Sequence, residues 1–205
     1  MPSFQFESRH AGLVAGVDEA GRGPLAGPVV AAAVVIDRVR AGRDLLALLD
    51  DSKKLTPRRR HLAFLALGES DAVAIGIGAA SAREIDRVNV LRATLRAMAR
   101  AVAALPAPPD VALVDGNRPP TLPCRVETIV KGDSKSFSIA AASIVAKVTR
   151  DRIMRLLDSR YPGYRWIKNA GYPAPEHLEA LQRLGATPHH RLSFSPLAMD
   201  STHGN

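Results

Sequence analysis

The chain has 205 residues, with 28 Lys and Arg against 20 Asp and Glu, which gives a formal net charge of +8 at pH 7. That length allows one main domain with a substantial core, and the basic balance favours a polyanionic partner, although a basic surface can also serve solubility alone. The only cysteine is Cys124, so the chain cannot form an internal disulfide or a cysteine-based zinc site.

The amino-terminal segment 1–10 is polar and lacks the basic and apolar regions of a signal peptide. No apolar run in the sequence approaches the length needed to span a bilayer. We therefore expect a cytoplasmic protein that has no contact with a membrane.

The first acidic motif lies between two apolar runs. These runs predict buried strands over 13–17 and 29–36, so Asp18 and Glu19 are expected where the first strand ends and a loop begins. Nearby glycines would let the loop backbone approach a ligand closely. A hairpin turn whose acids are merely solvated fits the same residues about equally well. The glycines concerned are Gly21, Gly23 and Gly27.

Residues 51–55 have the sequence Asp-Ser-Lys-Lys-Leu and directly precede a predicted helix, with Thr56 as its N-cap and Pro57 at its first position. Lysines just before a helix N-terminus favour a phosphate site, because cationic side chains and free backbone N–H groups converge there. A solvated turn is the alternative interpretation of the same residues.

The middle of the chain predicts a strand over 72–79, a short helix opened by a Ser81 and Glu84 capping box, and a longer helix over 89–105. Three arginines recur at helical spacing on one face of that longer helix, and we interpret them as solvated surface. They are Arg92, Arg96 and Arg100.

Two more acids follow predicted strands. A strand over 111–114 ends at Asp115, and a strand over 125–130 leads to Asp133. A long helix is predicted over 136–160, in which small residues at 140–143 would allow close packing on the sheet. One side of this helix carries Ser143, Lys147, Arg150 and Asp151 at helical spacing.

The last part of the chain predicts an irregular loop over 161–173, a helix over 175–185 and a polar tail. His189, His190 and Arg191 precede that tail. They fit either a basic stretch that meets nucleic acid or a solvated turn.

Acids delivered by separate strand ends, with no cysteine or histidine cluster, are hard oxygen ligands suited to Mg²⁺ or Mn²⁺. Two such ions can activate a water and stabilise the leaving oxygen in phosphodiester cleavage. Because strand side chains alternate, Asp18 and Glu19 can reach one site only if the strand bends or if Glu19 also offers its backbone carbonyl.

These motifs, taken together and in order, resemble those of bacterial ribonuclease HII, the type 2 ribonuclease H. The resemblance covers most of residues 14–194. It rests on the segments 16–29, 51–55, 114–116, 131–133, 138–151 and 171–173.

The resemblance implies an α/β fold, a ribonuclease H-like mixed sheet flanked by helices, with a small helical C-terminal part. It implies an endonuclease that hydrolyses the RNA strand of RNA/DNA hybrids and nicks 5′ of single ribonucleotides in duplex DNA, in ribonucleotide repair and RNA primer removal. The expected cofactors are two Mg²⁺ or Mn²⁺ ions, and the expected state is a monomer. The corresponding organisation is an N-terminal extension over 1–12, a catalytic core over 13–160, a loop and helix over 161–194 that complete the substrate groove, and a tail over 195–205.

The resemblance also implies roles for individual residues. The four catalytic and metal-binding acids would be Asp18, Glu19, Asp115 and Asp133. The ribose 2′-hydroxyl would be read by the backbone of Gly21, Arg22 and Gly23, and Tyr172 would help to read the ribose and stack on the following deoxyribonucleotide. Backbone phosphates would be contacted by Ser52, Lys53 and Lys54, with Lys147 as a further candidate. Asp151 is interpreted as a surface charge paired with arginine, rather than as a metal ligand.

Two rival interpretations stay open. The type 3 relatives usually carry Gly-Lys-Gly in place of residues 21–23, and an additional N-terminal domain for which segment 1–13 is too short. A non-catalytic nucleic-acid-binding module could use the same basic groove but would not need all four acids. A metal-dependent nuclease assay on a defined hybrid distinguishes an enzyme from such a module.

Overall fold

The protein is described by a computed structural model that covers residues 2–50, 52 and 54–200. Its centre is a five-stranded sheet in the order β3-β2-β1-β4-β5. β1 pairs antiparallel with β2 and parallel with β4, so the sheet is mixed and the expected α/β class is confirmed. The strands are β1 Val14–Ala20, β2 Val29–Ile36, β3 Val73–Ala80, β4 Val111–Asp115 and β5 Arg125–Ile129.

Helices cover both faces of the sheet. The described helices are α1 Arg43–Ala47, α2 Pro57–Glu69, α3 Ala82–Val88, α4 Val90–Ala103, α5 Phe137–Arg160, α6 Trp166–Asn169, α7 Pro175–Leu184 and α8 Leu197–Asp200. Short 3-10 turns occur at Glu7–Arg9 and Gly132–Ser134. None of the described helices is both long and apolar enough to cross a membrane.

α5 lies on one face of the sheet and α4 lies on the other. A Cβ atom built on Gly16 would lie 2.1 Å from the backbone of Ser138, so only glycine at this point of β1 lets α5 approach so closely. The buried alanines 140–142 continue the contact, as the small residues predicted. This close packing fixes α5 against the strand that carries Asp18 and Glu19.

Several local signals are confirmed in detail. The side chain of Thr56 accepts the hydrogen bond from the N–H of Arg59, and Ser81 accepts that from Glu84, as the capping patterns predicted. The arginine stripe on α4 is exposed, as predicted, and two of its members also pair with Glu84. Arg100 donates to both carboxylate oxygens of Glu84 at 2.8 and 2.9 Å, and Arg96 lies 3.6 Å from the same carboxylate.

β1 is longer than the sequence indicated. It continues to Ala20, because its pairing with β2 persists as far as Ala20 opposite Val30. Asp18 and Glu19 are therefore paired residues near the end of the strand, just before Ala20, and not the first residues of a loop. Three short helices, α1, α6 and α8, were also missed, because four or five residues are too few to show a helical period.

The first residues of the chain contact the core. Ser3 pairs with Ser136, and the carboxylate of Glu7 is 2 % exposed. One oxygen of Glu7 accepts hydrogen bonds from the hydroxyl of Ser136 and the N–H of Ser138. Glu7 thus stabilises the N-terminus of α5, where a negative charge and acceptor oxygens are favourable.

Candidate active site

A cleft of about 340 Å³ opens where β1 and β4 end. Parallel pairing sets Val17 opposite Val114, so the next residues, Asp18 and Asp115, come from neighbouring strands at the same edge of the sheet. The lining residues include three of the four predicted acids, the glycine loop, one face of α5 and Tyr172. They are Asp18, Glu19, Ala20, Gly21, Arg22, Gly23, Ser52, Asp115, Ser143, Lys147, Arg150 and Tyr172.

Asp18 and Glu19 keep the alternation of a strand and still line the same cleft. The side chain of Asp18 lies towards α5, close enough to the Ser143 hydroxyl for that group to lower its pKa. Glu19 also lines a second cleft beside Leu91 and Met98 of α4, on the other face of the sheet. Their position at the strand end lets both carboxylates reach the open edge, so a bend in the strand is unnecessary.

The environment of Asp18 disfavours its ionised form. Its side chain is 5 % exposed, and burial raises the pKa of this carboxyl well above its ordinary value. The charges of Glu19 and Asp115 raise the pKa further, while hydrogen bonds from Ser143 and from the backbone N–H of Glu19 act in the opposite direction. Without a cation, the cleft therefore holds repelling acids.

Glu19 is affected in the same way but less strongly. Burial raises the pKa of its carboxyl, whereas Arg22, whose guanidinium lies 3.5 Å from a Glu19 oxygen, lowers it. Asp115 accepts a hydrogen bond from the N–H of Gly132 at 2.6 Å. That bond joins the end of β4 to the turn that carries the next predicted acid.

Asp133 is the one predicted acid that does not line this cleft. It is buried, at 5 % exposure, in the turn Gly132–Ser134, and it does not line the cleft with Asp18 and Asp115. The turn forms because Lys131 adopts a left-handed conformation, with φ of 57°, directly after β5. The role of Asp133 as a ligand stays a prediction.

The chemistry of the donors in the cleft suits a hard divalent cation. Asp18, Glu19 and Asp115 offer carboxylate oxygens, which are the ligands that Mg²⁺ and Mn²⁺ prefer. Within the described part of the chain, no three Asp, Glu, His or Cys side chains are already close enough together to hold a metal ion. The residues fit such an ion by their type and by their shared cleft, and the carboxylates would have to converge on it.

The expected phosphate contacts fall into different environments. Lys54 is exposed, Ser52 is buried, and Lys53 lies outside the described residues. The Ser52 hydroxyl is 2.8 Å from that of Ser143, and Arg60 donates to the Ser52 carbonyl, so Ser52 itself is tied to α5 and α2 and is not solvated.

Lys147 lines the cleft with its ammonium group 2.7 Å from Asp151, one helical turn along α5. Asp151 also lies 4.0 Å from Arg60, so it is paired with cations as expected. A basic cleft adjoins this pair, and its lining residues include Arg60, His61, Arg152 and Arg155.

The recognition loop, defined here as residues 21–23, faces Tyr172. Arg22 and Gly23 are exposed, and Tyr172 is 47 % exposed. A Cβ atom built on Gly23 would lie 3.5 Å from the tyrosine ring, so the loop and the ring form adjacent walls of the cleft. The structure brings together the residues for which the sequence predicted a shared ribose-reading role, and that role stays a prediction.

Sequence reasoning was wrong about His190 and Arg191, which are neither a basic surface nor a solvated turn. They are 1 % and 0 % exposed. Arg191 donates four hydrogen bonds to backbone carbonyls of residues 21, 22 and 27. No local pattern distinguishes such an arginine from a surface arginine, because its partners lie more than 160 residues away in the chain.

His190 belongs to a hydrogen-bonded series of neutral side chains that ends at the backbone carbonyl of Tyr172. Its Nδ1 accepts from the N–H of Thr187, so its Nε2 carries the proton and donates to Nε2 of His177 at 3.1 Å. His177 also accepts from Trp166 and donates from Nδ1 to the carbonyl of Tyr172 at 2.8 Å. Burial lowers the pKa of both histidines, in agreement with neutral rings.

A family model described as Ribonuclease HII matches residues 15–196. The Ribonuclease HII of Rhodospirillum rubrum is 60 % identical over 197 residues, which are 96 % of this chain and 90 % of that protein. The Ribonuclease HII of Granulibacter bethesdensis is 57 % identical over 194 residues, covering 95 % of this chain and 89 % of that protein.

Among solved structures, the ribonuclease H2 of Pyrococcus horikoshii OT3 superposes with a TM-score of 0.76 at 30 % identity, covering 94 % of this chain and all of that one. Bst-RNase HIII in complex with Mn²⁺ gives the same TM-score at 20 % identity, over 93 % of this chain and 69 % of that one, which shows a shared fold. The mixed sheet flanked by helices is thus ribonuclease H-like, as expected.

Proposed function

Because the chain belongs to the ribonuclease HII family, it is a divalent-metal-dependent ribonuclease H, and we propose that it cleaves RNA/DNA hybrids and nicks 5′ of single ribonucleotides in duplex DNA. One observation carries the proposal. Asp18, Glu19 and Asp115 line the same cleft as the recognition loop and Tyr172, so the acids lie beside the groups proposed to read the ribose.

In this proposal Asp18, Glu19, Asp115 and Asp133 hold the catalytic cation, which is Mg²⁺ or Mn²⁺. When two such ions are bound they supply an activated water and stabilise the leaving oxygen, so the product carries a 5′-phosphate. The protein contributes the placement of the acids. Ser143 orients the Asp18 carboxylate, and the N–H of Gly132 orients that of Asp115.

Recognition of the ribonucleotide falls to the other wall of the cleft. The backbone of Gly21, Arg22 and Gly23 reads the 2′-hydroxyl, and Tyr172 stacks on the next nucleotide. Support comes from the position of the Tyr172 ring, which a Cβ atom on Gly23 would just contact, and from the exposure of both residues. The 2′-hydroxyl is the group by which a protein distinguishes RNA from DNA at a single position.

The basic residues near the cleft orient the duplex through its phosphates. Lys53, Lys54 and Lys147 are proposed for this role, with Ser52 at the base of the same wall. Such contacts fix the register of the substrate but carry little sequence information. We further propose a monomer in the cytoplasm, with the core over 13–160 and the segment 161–194 forming the two sides of the groove.

The test uses two duplexes of the same sequence, one entirely DNA and one with a single ribonucleotide. With Mg²⁺ or Mn²⁺, the protein should nick only the second duplex, on the 5′ side of the ribonucleotide, and a chelator should abolish the reaction. Cleavage of a continuous hybrid without nicking at the single ribonucleotide would favour a type 3 activity. Binding without cleavage in either metal would favour the non-catalytic module.

A further inference from the structure

Two buried arginines join the recognition loop to the segment that carries Tyr172. Arg150 comes from α5 and Arg191 from the segment after α7, and they are 1 % and 0 % exposed. Neither forms an ion pair with a carboxylate among the described residues. Their acceptors are all backbone carbonyl oxygens. The two buried guanidinium groups therefore fix the positions of main-chain segments.

Arg191 binds two consecutive carbonyls of the recognition loop. It donates to the Gly21 oxygen at 2.5 Å and to the Arg22 oxygen at 2.7 Å, and its other bonds go to the Gly27 oxygen. The planar fork of a guanidinium can bind several oxygens at once with fixed directions, which the single ammonium of lysine cannot.

The direction of these two carbonyls fixes the direction of two N–H groups. In a planar trans peptide the C=O of one residue and the N–H of the next point in opposite directions. Since the Gly21 and Arg22 carbonyls point at Arg191, the N–H groups of Arg22 and Gly23 point away from it. Neither N–H donates to another described residue, and both residues line the cleft, so these donors are available to a ligand.

Arg150 packs against Gly21 and holds the chain that directly follows the recognition loop. It donates to the carbonyls of Ala26, Pro28 and Ala170, each at 3.0 Å. Gly21 has φ of 95°, and a Cβ atom there would lie 2.0 Å from Arg150 Nε, so the loop needs glycine for this approach.

Ala170 precedes Gly171 and Tyr172, and the carbonyl of Gly171 accepts from the N–H of Leu25 at 2.8 Å. The backbone before Tyr172 is therefore fixed to the loop through Arg150 and through Gly171. A displacement of the recognition loop would have to break bonds to Arg191, and a displacement of the backbone before Tyr172 would have to break the bond from Arg150 to Ala170.

We propose that Arg191 and Arg150 are positioning residues for ribonucleotide recognition, which hold the N–H groups of Arg22 and Gly23 in line with Tyr172 so that both meet one 2′-hydroxyl. This inference rests on the proposed nicking activity. Arg191 sets the peptide orientation of the loop, and Arg150 sets its distance from Tyr172. Burial lowers the pKa of Arg191 to about 9, which still leaves the guanidinium charged at neutral pH.

The test compares Arg191→Lys and Arg150→Lys with the parent protein. For each protein, kcat/KM is measured on the single-ribonucleotide duplex and on a continuous hybrid, and the ratio of the two values is taken. The fraction of active protein cancels in this ratio, so a merely structural loss does not change it. The RNA strand of a continuous hybrid carries a 2′-hydroxyl on every nucleotide. Such a hybrid should therefore tolerate a misaligned recognition loop better than a duplex that carries a single 2′-hydroxyl.

We expect the ratio to fall at least about tenfold in Arg191→Lys, since a site built around one polar contact discriminates strongly only while that contact is aligned. Arg150→Lys should lower the ratio in the same direction. In ¹⁵N NMR spectra of the free protein, the Gly23 amide resonance should shift in Arg191→Lys. The control Tyr164→Phe removes the hydroxyl bond to the Gly185 carbonyl in the same part of the chain and should leave the ratio unchanged.

Equal losses on both substrates in both arginine variants would overturn the proposal. If both variants fail to show a cooperative unfolding transition, they are not folded. The arginines would then be required for folding, and the positioning role would be overturned as well. Failure of the parent protein to nick the single-ribonucleotide duplex would instead overturn the proposed function, which separates the two conclusions.

Discussion

The acids at the end of the sheet and the recognition loop form adjacent walls of one cleft. A carboxylate is buried at the first wall, and the two arginines that hold the second wall are buried behind it. Asp18 is 5 % exposed and its acidic neighbours, Glu19 and Asp115, raise its pKa further. Arg191 is fully buried too, but carbonyl oxygens of three residues accept from its guanidinium.

The difference separates two uses of buried charge. Of the three acids in the cleft, only Glu19 has an ion-pair partner among the described residues, the guanidinium of Arg22, so we expect a bound divalent cation to stabilise their arrangement. The arginines already have their hydrogen-bonding partners within the protein, so they stabilise a conformation and need no ligand. Substitutions on the two walls should therefore have different effects on activity and on stability.

The largest expected effect concerns the acids. Asp18→Asn or Asp115→Asn should lower the cleavage rate by about a hundredfold or more, the order found when one group that stabilises transition-state charge is removed. Binding to the hybrid should change little, because the basic groove is intact. The measurement is single-turnover cleavage at saturating Mg²⁺ or Mn²⁺. Asp44→Asn, an exposed acid on α1, is the control, and a near-parental rate for Asp18→Asn would contradict the assignment.

A smaller and more selective effect is expected on the opposite wall. Tyr172→Ala removes a ring whose stacking on a base is worth about 1–3 kcal/mol, so activity on the single-ribonucleotide duplex should fall at least about fivefold. Activity on a continuous hybrid should fall less. Steady-state kinetics on both substrates provide the measurement, and equal losses would remove Tyr172 from recognition.

The histidine pair beneath Tyr172 predicts a pH dependence of stability. Burial, with a contribution from His177, lowers the pKa of His190 to about 4 from an ordinary value of 6.5. Between these values the unfolded chain binds a proton that the folded protein does not. The stability that depends on a neutral His190 is therefore fully present above pH 6.5 and is lost progressively as the pH falls from 6.5 towards 4.

Urea unfolding at several pH values measures this slope. His190→Gln should flatten the part of the curve between pH 6.5 and 4, even if it lowers stability throughout. Identical slopes in the parent and the variant would show that His190 is not the titrating group.

The smallest effect is expected from single phosphate contacts. Lys54→Ala should weaken binding to every duplex severalfold and lower the dependence of log K on log salt by about 1, without moving the cleavage site. Lys53 carries the same expectation from sequence. The control is Arg38→Ala, an exposed arginine beyond the end of β2, at the opposite edge of the sheet. A change in cleavage position with unchanged affinity would argue against a phosphate contact.

The parts of the molecule that sequence predicted well are those with local signals. The bounds of β2 were predicted as they stand, and α4 follows its apolar period with Asn89 as its N-cap. Asp18 and Asp115 could be proposed as site residues because a strand end followed by glycine is a local pattern. Such patterns depend on neighbours within about one turn or one strand.

The parts that sequence could not predict depend on distant partners. The extension of β1 to Ala20 follows from its pairing with β2, and the burial of Arg191 follows from carbonyls more than 160 residues earlier in the chain. His190 has the composition of a surface turn and lies in the interior. These positions depend on hydrogen bonds between residues far apart in the chain, which composition and local sequence patterns do not predict.

The most direct measurement of the difference between the two walls is the free energy of unfolding with and without a divalent cation. In a chelator, Asp18→Asn should be more stable than the parent, on the order of 1 kcal/mol or more, because it removes a poorly solvated charge among like charges. Mn²⁺ should then stabilise the parent more than the variant, since binding to the folded state adds stability. A variant less stable than the parent in the chelator would contradict the account, because it would show that the acidic wall is already balanced within the protein.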